Sequence, residues 1–357
     1  MPHHHVRGRA GRVGIVAFAA GLSLAAGSAF AKPPPEPTID VFGTISQKVV
    51  HRSGPRTHAT RTSAPPAGST SANRYPITYH NGPVMTGVSK IVVIWYGNWN
   101  QSNGTDTPAG QQIILDALYG LSAAPATGMT NYAGVTTGAS SSLGLYTQSG
   151  GASVTAISSP TVVQYTQPTS ATYGSYTLTD ATVQSLVAAY ASTAPDPNAI
   201  YLVLSSSDIG ESSGFLTAYC GWHTYSTVGS TTVKYGFIGN PNKTLAACNV
   251  NTAGASPNGN PAVDAMISVI AHELEETSTD PLLNAWYNRQ QYEDGDMCAW
   301  TFGAAPKLVS STDPTRNGSY YNVTLPTATA GVSRNYLIQR ALARGNSKCY
   351  VSATGAQ

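Results

Sequence analysis

Short apolar runs separated by polar, Gly/Ser/Thr-rich stretches set the pattern of this chain. Lys90-Ile-Val-Val-Ile-Trp-Tyr96, apolar without interruption from Ile91, is of strand length and predicts a buried strand. Ala199 to Leu204 predicts a second buried strand and Lys234 to Ile238 a third. Ile77 to Tyr79 and Thr161 to Tyr165 are shorter β-prone pieces. Helical spacing marks Pro108 to Leu121, through Ile113, Ile114, Leu115, Leu118 and Leu121. It recurs from Thr179-Asp180 to about Ser192, where Val183, Leu186, Val187 and Tyr190 share a face. A third helix opens with Asn260 as N-cap and Pro261 in its first turn. Its apolar face is Val263, Met266, Ile267, Ile270 and Leu274, and it must stop before Pro281. A further short helix is expected near Tyr336 to Arg344. Strands alternating with helices predict an α/β or α+β fold: one domain with a central mixed sheet, flanking helices and many loops.

The N-terminal fifth has a different character. Arg7, Arg9 and Arg12 precede an apolar, small-residue run from Val13 to Ala26, and Ala29-Phe30-Ala31 is an A-x-A site. This pattern predicts a signal peptide over residues 1–31, cleaved before Lys32, and a secreted, extracellular or periplasmic protein. Residues 32–75 open on Pro33-Pro-Pro35 and run on rich in Ser, Thr and Ala, as a linker or propeptide does. The globular domain is expected over residues 76–352. No later stretch is apolar for the roughly 18 residues a membrane span needs, so none is expected in the mature chain.

Composition changes the picture at one place. Only 10% of the residues are charged, against about 25% in an average soluble protein. That excludes a nucleic-acid binder, which needs many Lys and Arg for phosphate contacts. The formal balance of +2 resides in the signal and the linker, because the domain from Pro76 has ten basic and 15 acidic residues. Eight of those 15 acids fall between Asp264 and Asp296, opposed there only by Arg289. Four cysteines in an exported chain predict two disulfides. Of the three possible pairings, 220–248 and 298–349 are favoured, because short loops close easily.

The acidic concentration has a motif at its centre. His272-Glu273-Leu274-Glu275-Glu276 reads H-E-x-x-E, which differs from the zincin H-E-x-x-H only at its last position. His272 and Glu276 are four apart and project from one helix face. In the zincin arrangement these two hold the metal and the intervening Glu273 is the general base. Glu293 or Asp296 is the expected third ligand. Carboxylates at a helix C-terminus also oppose the macrodipole, at about 0.3–1 kcal/mol each, and a divalent cation would offset them. Zinc accepts a carboxylate ligand, while the harder donor set also admits calcium or manganese. His223, in Cys220-Gly-Trp-His223, is a candidate for substrate hydrogen bonding or further ligation. His80 and Asp208 read as turn residues. There is no G-x-S-x-G elbow, P-loop or dinucleotide fingerprint.

Three blocks carry a family resemblance: Tyr79-His-Asn-Gly-Pro-Val-Met85, Ile94-Trp-Tyr-Gly97 and Cys220-Gly-Trp-His223. They resemble the EXORDIUM, or phosphate-induced protein 1, family, known best as secreted plant cell-wall proteins linked to growth responses. The resemblance covers most of residues 75–350. The His272-to-Pro281 segment, with Trp286 and the Glu293-to-Trp300 block, looks like bacterial members, and plant members lack the His-Glu pair. The resemblance implies secretion and domain type and no particular chemistry. Two functions are therefore expected. One is an exported zincin-like metallohydrolase, a peptidase. The other is a non-catalytic extracellular binding or signalling module whose metal is structural. A peptide or a cell-wall or surface polymer is the partner class.

Overall fold

Four residues at the ends of polar loops start or stop the helices. Thr107 Oγ1 accepts from Gly110 N at 3.0 Å, Thr179 Oγ1 from Thr182 N at 3.1 Å and Asn260 Oδ1 from Val263 N at 3.3 Å. They cap α1 (Pro108–Leu121), α2 (Asp180–Ala191) and α3 (Pro261–Thr279). Asp280 closes α3 through its N–H on Glu276 O, and Pro281 prevents continuation. In this computed structural model the described residues are 76–122, 146–152, 156–157, 161–163, 177–249, 251, 254–303, 307–343 and 348–350. The expected signal and linker lie outside them.

The strands, in chain order, begin with β1 (Thr78–Tyr79), β2 (Val88–Tyr96), β3 (Ala156–Ile157), β4 (Thr161–Val163) and β5 (Thr177–Leu178). Next come β6 (Ala199–Ser205), β7 (Gly210–Glu211), β8 (Gly221–Val228), β9 (Thr231–Gly239) and β10 (Trp286–Tyr287). The C-terminal part adds β11 (Lys307–Leu308), β12 (Tyr320–Tyr321), β13 (Val323–Pro326), β14 (Ser333–Tyr336), β15 (Ala341–Ala343) and β16 (Lys348–Tyr350). A six-stranded central sheet runs β3-β2-β6-β9-β8, with β4 also on β2. β3, β4, β6 and β9 join by parallel pairings and β8 is antiparallel to β9, so the sheet is mixed. Gly229 opens the two-residue β8–β9 turn at φ 62°, the sign that a primed hairpin turn requires there.

Helices cover both faces of this sheet. Ile91, Val93 and Trp95 of β2 and Ile200, Leu202 and Leu204 of β6 pack in one core with α1 and α3. The alternate residues Ile94, Tyr96, Tyr201 and Val203 pack in a second core with Val183 and Val187 of α2. Burial on both faces is why these strands read as continuous apolar runs. Both disulfides, Cys220–Cys248 and Cys298–Cys349, are those favoured from the sequence.

Two expectations are corrected. No helix forms over Tyr336 to Arg344: β14 ends at Tyr336, the chain runs on extended, and Ala341–Ala343 pairs with β16. The apolar residues there serve different clusters, with Leu337 beside Phe302, Ile338 in the main core and Leu342 beside Cys298 and Cys349. A run divided in this way cannot satisfy a helical face. Second, Gly221–Val228 is a full strand of eight residues where no strand was predicted.

Candidate metal centre

α3 is buried along its whole length from Ala262 to Thr279, its acidic C-terminal half included. The apolar face lies on the sheet, and the polar face is covered by the chain from Trp286 onward. Gly221 in β8 makes the close helix–sheet approach possible, because a Cβ there would lie 2.6 Å from Val269 Cγ1. That approach brings His223, two residues further on β8, to α3. Its Nδ1 is 3.4 Å from Glu273 Oε2 and 3.8 Å from Glu276 Oε2. Its Nε2 is 3.7 Å from Glu293 Oε1. On the neighbouring turn of the helix His272 Nε2 is 3.1 Å from Glu276 Oε1 and 3.8 Å from Asp296 Oδ1.

All six residues singled out in the sequence therefore converge. His272, Glu276 and Asp296 form one group of candidate ligand atoms, and His223, Glu273 and Glu276 form another. Within each group the ligand atoms lie within 4.8 Å of one another. Asp296 meets α3, as one of the two alternatives for third ligand. Glu293 instead faces the far nitrogen of His223.

The loop that brings Glu293 and Asp296 is held at several points. Asp296 N donates to Glu276 Oε1 at 2.9 Å, and Thr279 Oγ1 donates to Asp294 Oδ1 at 3.1 Å. Leu342 N donates to Asp294 O at 3.0 Å, and Cys298 is bonded to Cys349. Gly295 sits against the cluster: a Cβ there would be 2.9 Å from both Glu276 Oε1 and His272 Nδ1. Gly295→Ala is therefore expected to push these groups apart and to cost about 1–3 kcal/mol of stability, as overpacking does. A thermal melt of the variant beside the wild type checks it.

Charge in the cluster is strongly one-sided. Glu273, Glu275, Glu276, Asp280, Glu293 and Asp294 are all at most 2% exposed, and the Asp296 side chain is 3% exposed. Arg289, the one cation in this stretch of sequence, is exposed. Burial lowers both histidines to about 3, so they are neutral bases with a lone pair available. Burial raises Glu273, Glu276 and Glu293 well above the usual carboxylate range, with acidic neighbours adding to it. Asp280 and Asp294 rise to about 7 for the same first reason. Asp280 has an outlet, accepting from Asn284 N and Ala285 N at 2.6 Å each.

One contact had no signal in the sequence. Gln339 lies on His272 Nδ1 through its amide nitrogen, while its Oε1 accepts from Trp300 N at 3.2 Å. Ligation of a cation by His272 Nε2 leaves the proton on Nδ1, so Gln339 would have to turn its amide and present oxygen. Gln339 falls in the stretch expected to be helical, 67 residues from His272, and only the extended course of the chain carries it there.

The two residues read as turn residues behave so. Asp208 Oδ1 accepts from Gln101 Nε2 at 2.9 Å and from Ser206 Oγ. His80 stacks on Tyr287 at 3.7 Å between ring centroids, away from the buried cluster.

A model of the phosphate-induced protein 1 conserved region matches residues 77–352. The chain belongs to the phosphate-induced protein 1 family. Protein EXORDIUM-like 3 of Arabidopsis thaliana is 28% identical over 296 residues, which is 75% of this chain and 81% of that protein. Protein EXORDIUM-like 5 of the same plant is 31% identical over 258 residues, 66% of this chain and 67% of its own length. No solved structure matches. The resemblance seen in the three sequence blocks thus extends across the whole EXORDIUM-like domain, and its two disulfides fit an extracellular protein. Among the described residues no helix is long and apolar enough to cross a membrane.

Proposed function

We propose that the protein is an exported EXORDIUM-like binding module stapled by a divalent-cation centre at His223, His272, Glu273, Glu276, Glu293 and Asp296. The observation that carries this reading is the burial of Glu273. It is 0% exposed and 3.4 Å from His223 Nδ1, among the ligand atoms. A zincin-type general base instead faces a cleft beside an open coordination position. A cation here would cross-link β8, α3 and the Glu293-to-Asp296 loop, and would neutralise carboxylates that burial otherwise disfavours. One imidazole and two carboxylates per group suit zinc or manganese. Calcium, which takes oxygen donors throughout, suits them less. The low charge of the surface favours a neutral cell-wall or surface polymer as the bound partner over an ionic one.

The metallohydrolase reading keeps the spacing of H-E-x-x-E and the His272–Glu276–Asp296 trio. It requires Glu273 to reach a metal-bound water. Peptide hydrolysis by the wild type that disappears in Glu273→Gln, with metal retained, would replace the staple by a peptidase.

Elemental analysis of protein purified without chelator tests the cation reading. At least one divalent ion per chain is expected in the wild type, with most of it lost in His272→Ala. Native protein free of metal would sink the proposal.

A further inference from the structure

The cluster divides around one carboxylate. Glu276 turns Oε1 to His272, 3.1 Å from Nε2, and Oε2 to His223, 3.8 Å from Nδ1. We infer that the centre takes two divalent cations, bridged by the two oxygens of Glu276. The inference rests on the cation reading above and concerns how many ions the site holds.

Three observations lead to it. The first is spacing. An ion about 2.1 Å from each of its ligands needs ligand atoms about 3–3.5 Å apart. The histidine-to-carboxylate separations are 3.4 and 3.8 Å around His223 and 3.1 and 3.8 Å around His272, close to that spacing, and all ligand atoms of each group lie within 4.8 Å of one another. The two groups share no residue except Glu276. One carboxylate joining two such groups is the bridging arrangement of paired-ion sites, whose ions stand about 3.5–4 Å apart.

The second is charge. Asp280 and Asp294 have backbone and hydroxyl donors of their own, from Asn284, Ala285, Thr279 and Gly295. Glu275 and Glu293 belong to neither group, but Glu293 faces His223 Nε2 at 3.7 Å. Glu273, Glu276, Glu293 and Asp296 remain, four carboxylates beside two neutral imidazoles. Two divalent ions balance four carboxylates. A single ion balances two of them and leaves the other two to be held protonated by burial.

The third is Glu293. Its side chain is 2% exposed, meets no backbone, amide or hydroxyl donor, and shares a hydrogen bond with the Asp280 carboxyl. Its Oε1 points into the cluster, 3.7 Å from His223 Nε2. A buried carboxyl held by a second carboxyl and facing an imidazole is a place where a cation can take over from a shared proton.

The test uses the full protein, stripped with chelator and titrated with Mn(II), followed by native mass spectrometry and electron paramagnetic resonance. Two Mn per chain are expected at saturation. Their spectrum should be exchange-coupled, not the six lines of isolated ions. Asp296→Asn should hold one Mn, with the uncoupled six-line spectrum restored. Glu276→Gln should lose the coupling and bind at most one. Circular dichroism confirms that each variant is folded, and Asp296→Asn, which keeps residue size, stands in should Glu276→Gln fail to fold. A wild type saturating at one Mn overturns the pair and leaves the cation reading intact. Two Mn without coupling overturn the bridge. No Mn bound, and no zinc in its place, removes both proposals.

Discussion

Stripping divalent cations should lower the melting temperature by about 8 °C near pH 8 and by little near pH 5. The size follows from linkage. A ligand present at about a thousand times its dissociation constant stabilises by about 4 kcal/mol. A domain this large shifts by about 2 °C per kcal/mol. The pH dependence follows from the raised carboxyls. Asp280 and Asp294 rise from 3.8 to about 7 by burial, and Glu273, Glu276 and Glu293 rise well above their usual range. In the stripped protein a group with a raised folded pKa contributes stability that is full below its unfolded pKa. That stability is lost as pH climbs through the folded value. The stripped protein should therefore weaken between about pH 4 and pH 7. The loaded protein, in which the cation holds Glu273, Glu276 and Glu293 ionised, should weaken less, keeping only the part due to Asp280 and Asp294. Calorimetry at several pH values, with and without chelator, measures the difference. A chelator effect equal at both ends of the range would contradict the assignment.

Removing the Cys298–Cys349 bond should have an effect of similar size on stability and a larger one on metal content. The bond closes a span of 51 residues, for which chain entropy predicts about 4 kcal/mol. Cys298→Ser with Cys349→Ser should therefore melt about 8 °C lower. Asp296 lies two residues before Cys298, and Leu342 N holds Asp294 O at 3.0 Å from the other side of the same bridge. Freed from it, the loop should lose its ion to a modest concentration of chelator. Cys220→Ser with Cys248→Ser spans 28 residues and should cost about 3.5 kcal/mol. It acts on the metal only through the start of β8. If the two double variants lose metal equally, the loop is not the weak side of the centre.

Much of the fold was legible because burial on both faces leaves a plain mark. β2 and β6 are built on short apolar runs with no polar side, and the caps at Thr179 and Asn260 are sequence-local devices. The four cysteines paired as their short loops suggested. The acidic site was legible too, since the charges are few enough for eight of them to stand out. β8 was hidden because Gly221-Trp-His-Thr-Tyr-Ser-Thr-Val228 carries polar residues on an edge strand, where period-two alternation is weak. The extended course from Tyr336 to Ala343 was hidden because neighbouring apolar residues there enter separate cores. Nothing local marks Gln339 as the neighbour of His272. The full burial of α3 was also illegible, since its cover comes from chain lying up to 70 residues downstream.

That cover sets an order on assembly. His223 meets Glu293, His272 meets Gln339 and Cys298 is bonded to Cys349, so these contacts draw on chain spread over 126 residues. Contacts of such long range form late, after the loop entropy between them has been overcome. A nascent chain that has not yet released Cys349 can hold the sheet but not the lid over α3. The acidic cluster of such a chain stays open to water. On the cation reading, an ion would therefore be taken up at the end of folding, in whichever compartment receives the finished chain, and the metals available there would decide its identity.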